Sequence, residues 1–271
     1  MSEAAVLEDH DDGVLLVTLN RPAKKNAFDD PQWDGLAAAL DRAREDDSVA
    51  VVVLTGAGND FSAGQDLAAF RASQEAREDG NPNGFAGCID ALFAFDKPLL
   101  AAARGVAVGG GATILFACDI VYVGQSLRLR LPFVSLGLVP EVASSHLLAA
   151  AIGRQRAAEL FYTAEWVDAE RALSVGIAAR ALPDDALLPT ALEKAHEIAR
   201  WPVSALRATK QTLQASYTAA LTAARAVEDA RMAEQAGSPE NVEAVKAFLE
   251  RRKPDFRQFR PRRAGAEPER S

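Results

Sequence analysis

The sequence predicts an α/β core followed by an all-helical region, and three stretches carry that prediction. Val14–Asn20 (VLLVTLN) and Val49–Thr55 (VAVVVLT) are apolar runs of strand length with a helix-patterned segment between them. Continuous β-branched runs suit strands buried on both faces of a parallel sheet. Lys97–Asp119 (KPLLAAARGVAVGGGATILFACD) joins an apolar strand-length run to an apolar helix-length run through three glycines. From about Leu187 onward helix formers dominate and strand signals stop.

Taken in order, Val14–Asn20 is the first predicted strand, ended by Arg21-Pro22 and a polar loop through Asn26. Asp30-Pro31 reads as a helix start, a capping side chain followed by proline at the first helical position. That helix carries Trp33, Leu36, Ala37, Leu40 and Ala43 at helical spacing and closes in charges from Arg42 to Asp47. The strand over Val49–Thr55 follows, so the unit calls for a right-handed crossover. Gly56–Asn59 turns the chain into Phe61–Leu67, and the polar segment Arg71–Gly87 is expected to be a mobile flap. Phe85, Cys88, Ile89, Leu92 and Phe93 form an apolar helix face. Leu99–Val108 reads as one buried strand, Asp119–Val123 as another, and Leu127–Leu131 (LRLRL) alternates as a half-exposed strand. Phe133–Glu141 is loop-like, and helices are expected over Ser144–Ile152 and Arg154–Tyr162. Asp168 caps a helix that stops at Gly176, and Ser238-Pro239 opens the last clear one.

A net charge of −8 and a pI near 5.1 argue against nucleic acid as a partner. A basic patch stands near the C-terminus, from Arg251 to Arg263. Two cysteines, Cys88 and Cys118, suit buried reduced thiols in a cytoplasmic protein better than a disulfide framework. The acidic first residues lack the order of a signal peptide, and no apolar run reaches bilayer length, so no membrane role is expected. His10, His146 and His196 have no ligand spacing, and no metal site is expected. Ser144-Ser145-His146 lacks the G-x-S-x-G elbow of a serine nucleophile.

The glycine triplet Gly109-Gly110-Gly111 stands where a helix would begin. The first N–H groups there have no internal partner, and the helix dipole makes that end partly positive. Without side chains, a ligand can approach the bare backbone. Such a place suits an anion, or an oxygen that becomes anionic during reaction, although three glycines also suit a plain turn. No phosphate-loop or dinucleotide fingerprint surrounds them.

Four segments, TLNRPAKKNAF (Thr18–Phe28), VVVLTGAGNDFSAGQDL (Val51–Leu67), KPLLAAARGVAVGGGATILFACDI (Lys97–Ile120) and ERRKPDF (Glu250–Phe256), closely resemble the crotonase, or enoyl-CoA hydratase/isomerase, superfamily. Their spacing spreads the resemblance over nearly the whole chain. It implies a spiral of ββα units over residues 1–186 holding a CoA-thioester site. It also implies a helical oligomerisation region over 187–260 that forms trimers, often paired into hexamers; residues 261–271 read as a basic, disordered tail. The implied substrate is an acyl-CoA thioester, so coenzyme A arrives with the substrate and no separate cofactor is expected. By the same resemblance the backbone N–H groups of Gln65 and Gly110 hold the thioester oxygen. The backbone around Ala63, Asp66 and Leu67 would meet the adenine end of the coenzyme. Lys24 and Lys253 are candidates for its phosphates and Phe256 for packing near the adenine; a plain surface role stays open for these three.

Hydratases of this family use two glutamates sharing a water, at positions where this chain has Thr113 and Phe133. Neither replacement titrates near neutral pH. Glu141, in Leu138-Val139-Pro140-Glu141, falls where the peroxisomal-type 3-enoyl-CoA isomerases carry their single catalytic glutamate, and PFVSLGLVPEVASS resembles the surroundings there. The resemblance therefore implies a 3-enoyl-CoA isomerase with Glu141 as acid and base, in a pocket that Phe116, Phe133 and Leu138 would make apolar. The alternatives are an enoyl-CoA hydratase, an isomerase of ring-derived acyl-CoA, or a CoA-thioester-binding member without isomerase activity.

Overall fold

The structure is a computed structural model describing residues 4–66 and 84–260. Nine strands form two sheets: β1 (Val6–Asp11), β2 (Val14–Leu19), β3 (Val51–Gly56), β4 (Leu99–Ala103), β5 (Val106–Val108), β6 (Ile120–Gly124), β7 (Arg128–Arg130), β8 (Trp166–Asp168) and β9 (Arg180–Leu182) among the described residues. The larger sheet runs β1-β2-β3-β4-β6-β9 and the smaller β5-β7-β8. From β2 to β9 the larger sheet is parallel.

β1 is a strand the apolar pattern does not announce. Its residues VLEDHD are almost all exposed, because β1 is an edge strand paired antiparallel with β2. Charged side chains suit an edge, where they discourage pairing with another chain. The turn between the two strands, Asp12-Gly13, takes positive φ at both residues (42° and 81°), as a two-residue hairpin whose twist matches its strands requires.

Helix α1 (Asp30–Glu45) starts one residue earlier than its proline suggests. Asp29 is the cap, its side chain accepting from the Gln32 N–H. Helix α2 (Gly84–Ala94) takes in Gly84–Gly87, which were expected in the flap; the rest of that segment, and Leu67, lie outside the described residues. α1 and α2 cover one face of the larger sheet, burying Trp33, Leu36, Leu40, Ile89 and Leu92 against Leu15, Val17, Val52 and Leu54. Val14, Val51, Val53, Leu100 and Ala102 point the other way and pack on Leu187, Ala191 and Ala195. Those three belong to α7 (Asp184–Ala199), which forms the third layer. Strands buried on both faces explain the unbroken apolar runs.

The run Leu99–Val108 is not one strand. It breaks at Arg104-Gly105, Gly105 adopting φ +59°, and β4 and β5 join different sheets. A Cβ on Gly105 would lie 2.0 Å from the Asn59 carbonyl oxygen. The break therefore needs glycine and carries the chain from the large sheet to the small one. After β5 come α3 (Gly110–Ala117), α4 (Ser144–Ile152), α5 (Arg154–Thr163) and α6 (Ala169–Val175), the last capped by Asp168 and ended by Gly176 at φ +94°.

Beyond α7 lie α8 (Val203–Ala215), α9 (Thr218–Gln235) and α10 (Pro239–Leu249). A buried lysine ties α8 to the core. Lys210 Nζ lies 2.9 Å from Asp119 and donates to the Lys97 carbonyl at 2.9 Å. Lys210→Met would leave both acceptors without this partner. A loss of about 1.5–3 kcal/mol is expected, as for hydrogen bonds to charged groups, measured as a lower urea midpoint with an unchanged m-value.

Candidate active site

The site is built where the loop Phe61–Asp66 meets the start of α3. Nearly every backbone N–H of that loop is engaged. Phe61 and Ser62 donate to Arg104 and Val106, Ala63 to Lys25, and Asp66 to Phe28, at 2.8–2.9 Å. The Gly64 N–H donates to Ser62 Oγ at 3.1 Å. The Gln65 N–H has no acceptor among the described residues. At the start of α3, Gly109 donates to Arg130 while Ala112 and Thr113 donate back to Gly109. The N–H groups of Gly110 and Gly111 are left without acceptors among the described residues, as a helix N-terminus dictates.

Glycine holds these two pieces of backbone together. A Cβ on Gly64, at φ +83°, would fall 2.4 Å from the Val108 carbonyl oxygen and 3.5 Å from the Gly110 nitrogen. A Cβ on Gly111 would fall 2.5 Å from the Ser62 carbonyl oxygen. The loop is also pinned from below. Arg21 pairs with Asp29 at 3.1 Å and Asp66 at 3.2 Å. Fully buried Asn26 accepts from the Arg21 N–H and donates to the Ala57 and Asp60 carbonyls.

Glu141 approaches the same point from the other side. A Cβ on Gly110 would lie 3.2 Å from Glu141 Oε1 and 3.4 Å from the Trp33 ring, so the carboxyl stands over the bare backbone of Gly110. Burial, followed by the negative charge of Glu228, pushes its pKa up to about 7. The backbone that presents it is unusual. Val142 and Ala143 take φ +62° and +50°, and the Ser144 N–H closes the turn onto the Glu141 carbonyl at 3.1 Å. A β-branched residue in the left-handed region costs on the order of 1–3 kcal/mol and persists only where its surroundings over-determine it.

Thr113 is fully buried, its hydroxyl donating to the Gly110 carbonyl at 3.3 Å. Phe133 is buried with its ring 6.3 Å from that of Phe161. Three residues join the site through side chains the sequence did not mark for it. Trp33, read as a helix-face residue, donates from Nε1 to Gln65 Oε1 at 2.9 Å while stacked on Phe28 with centroids 3.7 Å apart. The Gln65 side chain is thereby held. A third, Glu228, has no local signal because α9 brings it from far along the chain.

The structure brings Gln65, Gly110 and Glu141 together, with Ala63 and Asp66 beside them on the loop. Lys24 is exposed at the end of a short 3-10 turn, Pro22–Lys24. Lys253 and Phe256 stand on the C-terminal segment, which the Arg252–Glu243 pair and the Asp255 N–H ties to α10. No hydrogen bond or ion pair among the described residues joins them to the Gly64–Gly110 junction. No cluster of three or more His, Cys, Asp or Glu able to hold a metal occurs among the described residues, and no helix there is long and apolar enough to cross a membrane.

Known proteins match this chain along nearly its whole length. The family described as enoyl-CoA hydratase/isomerase matches residues 9–260. The 2,3-dehydroadipyl-CoA hydratase of Escherichia coli K12 is 35% identical over 246 residues, 90% of this chain and 95% of that protein. The 1,2-epoxyphenylacetyl-CoA isomerase of the same organism is 32% identical over 260 residues, 93% and 97% of the two chains. Among solved structures, an enoyl-CoA hydratase/isomerase from Pseudoalteromonas atlantica T6c superposes with a TM-score of 0.88 at 34% identity, covering 93% of this chain and 99% of that one. With that fold, those relatives and that match along its length, the chain belongs to the enoyl-CoA hydratase/isomerase family of enzymes, the crotonase superfamily.

Proposed function

We propose that this enzyme moves the double bond of a 3-enoyl-CoA to the 2-position, with Glu141 as the single acid and base. One observation carries the reading: the Glu141 carboxyl stands over Gly110, while Thr113 and Phe133 supply no carboxylate beside it. The thioester oxygen sits between the N–H groups of Gln65 and Gly110. Ionised Glu141 takes a proton from C2, and the electron pair moves into the carbonyl to give a dienolate held by the two N–H donors. The same carboxyl returns the proton at C4 as the enolate collapses, leaving the double bond between C2 and C3. Mass is unchanged and no water enters. Donors fixed in place before reaction need no reorganisation as charge develops, and a positioned acid–base group contributes about 10²–10⁴-fold.

The carboxyl's raised pKa serves this cycle, since one group must both accept and release a proton near neutrality. Only the ionised form abstracts a proton. The expected kcat/KM therefore falls about tenfold per pH unit below about 7 and levels off above it. A pH–rate profile on a 3-enoyl-CoA checks this.

Lys24, Lys253 and Phe256 are proposed coenzyme A contacts, together with the backbone of Ala63, Asp66 and Leu67. The exposed Leu213, Val227, Val242 and Phe248 of α8, α9 and α10 support assembly of this region into a homotrimer or a pair of trimers. Offering a medium-chain 3-enoyl-CoA and the matching 2-enoyl-CoA, with products followed by mass, tests the function. Isomerisation of the first without hydration of the second is expected. Hydration of the second without isomerisation of the first, the chemistry named for one relative, would replace this reading.

A further inference from the structure

We propose that Glu228 is a positioning residue for Glu141: from α9 it holds the N-terminus of α4, and with it the left-handed turn that presents the Glu141 carboxyl. The inference rests on Glu141 being the acid/base group.

The start of α4 lacks a cap of its own, because Ala143 occupies the capping position. Glu228 supplies one from a different helix. It is 4% exposed, and its Oε1 accepts the Ser145 N–H at 2.8 Å. A carboxylate at a helix N-terminus satisfies an orphan donor and meets the positive end of the dipole. Val142 and Ala143, between Glu141 and α4, hold a backbone conformation that relaxes unless both ends are fixed. The Glu141 end is fixed by its carbonyl accepting from Ser144, and the α4 end by Glu228.

Glu228 is also an expensive way to cap a helix. Its Oε2 is buried without a hydrogen-bond partner, as are Ser144 Oγ and His146 Nε2 on α4. Burial raises the Glu228 pKa against the hydrogen bonds from Ser145. Glutamine would satisfy the Ser145 N–H equally well without burying a charge. What the charge adds is a repulsion felt by Glu141. Trp33, which stands with Glu141 over the Gly110 backbone, is neutral, and α3 carries no charged residue. On α4, His146 packs its ring 6.3 Å from that of Tyr217, just before α9. On α9 itself, Arg225 is engaged with Asp90 at 2.6 Å and Asp229 at 3.8 Å, and Asp229 pushes Glu228 further up.

The two contributions separate in two variants. Glu228→Gln keeps an acceptor for Ser145 and removes the charge, so the Glu141 titration is expected to move down while staying raised by burial, with KM unchanged. Glu228→Asp keeps the charge but withdraws it by one methylene. A fall in kcat of about tenfold with KM held is expected, while the Glu141 titration stays raised. The titration is read by carboxyl carbon-13 NMR on the full chain without substrate, as the difference between each protein and its Glu141→Gln counterpart. That readout does not depend on turnover. A Glu141 signal near 7 that shifts down in Glu228→Gln supports the inference even if no enoyl-CoA is isomerised, which would sink the proposed function alone. A wild-type kcat in Glu228→Asp overturns it whatever the titration does, because the shortened carboxylate no longer reaches the Ser145 N–H. Should Glu228→Gln not fold, Glu228→Asp decides: wild-type kcat overturns the proposal, and reduced kcat at constant KM supports it.

Discussion

Replacing Glu141 with glutamine is expected to lower kcat for 3-enoyl-CoA isomerisation by about 10²–10⁴-fold, the usual contribution of a positioned acid–base group. Glutamine has nearly the same shape and can take the same place over Gly110. The amide neither abstracts nor returns a proton. It also removes a carboxyl that burial and Glu228 hold up to about 7, so stability should not suffer from losing a favourable ion pair. Binding of a CoA thioester, measured by calorimetry, should stay within a few-fold of wild type, because the backbone donors of Gln65 and Gly110 are untouched. Full activity in this variant would place the proton transfer elsewhere.

The second large effect is expected at Gly64. Alanine there would put a methyl group 2.4 Å from the Val108 carbonyl oxygen on a backbone at φ +83°. The left-handed conformation alone costs roughly 1–2 kcal/mol for a residue with a Cβ, and the clash forces the loop away from α3. On the proposed mechanism the Gln65 and Gly110 N–H groups hold one thioester oxygen, and that pairing would be lost. Loss of one such donor typically costs ~10²–10³ in rate. Gly64→Ala should thus lose at least that much kcat and melt at a lower temperature. Gly87→Ala is the control on the same scale, since no atom lies within 4 Å of its added Cβ, and it should behave as wild type.

These two predictions fall on parts of the molecule that the sequence showed unequally well. Parallel strands β3 and β4 were legible because burial on both faces leaves only apolar residues. The start of α3 was legible because three glycines in a row ask what approaches them. β1 was hidden because an exposed edge strand needs no apolar face, although the Asp12-Gly13 pair is the turn its hairpin requires. The break at Gly105 was hidden by the apolar residues on both sides of it. Its need for glycine comes from Asn59, a neighbour in space.

At the site, Glu141 was visible through family resemblance, and the left-handed Val142-Ala143 pair that aims it was not, since neither residue type signals positive φ. Trp33 was visible only as one apolar position on a helix face, because its bond to Gln65 crosses from α1 to a loop. Glu228 lies in a helix whose charges look like an ordinary solvated face until α9 is packed against α4. Long-range partners of this kind leave no local pattern to read.

The most direct test of the account follows one hydrogen. A 3-enoyl-CoA carrying deuterium at C2 is converted in a single turnover in ordinary water, and the product is read by NMR at C4. If one buried carboxyl both removes and returns the proton, part of the deuterium should appear at C4. The same label should stay at C2 of unreacted substrate in Glu141→Gln. A product whose C4 carries only solvent hydrogen would contradict one buried carboxyl that carries the proton from C2 to C4 without exchange.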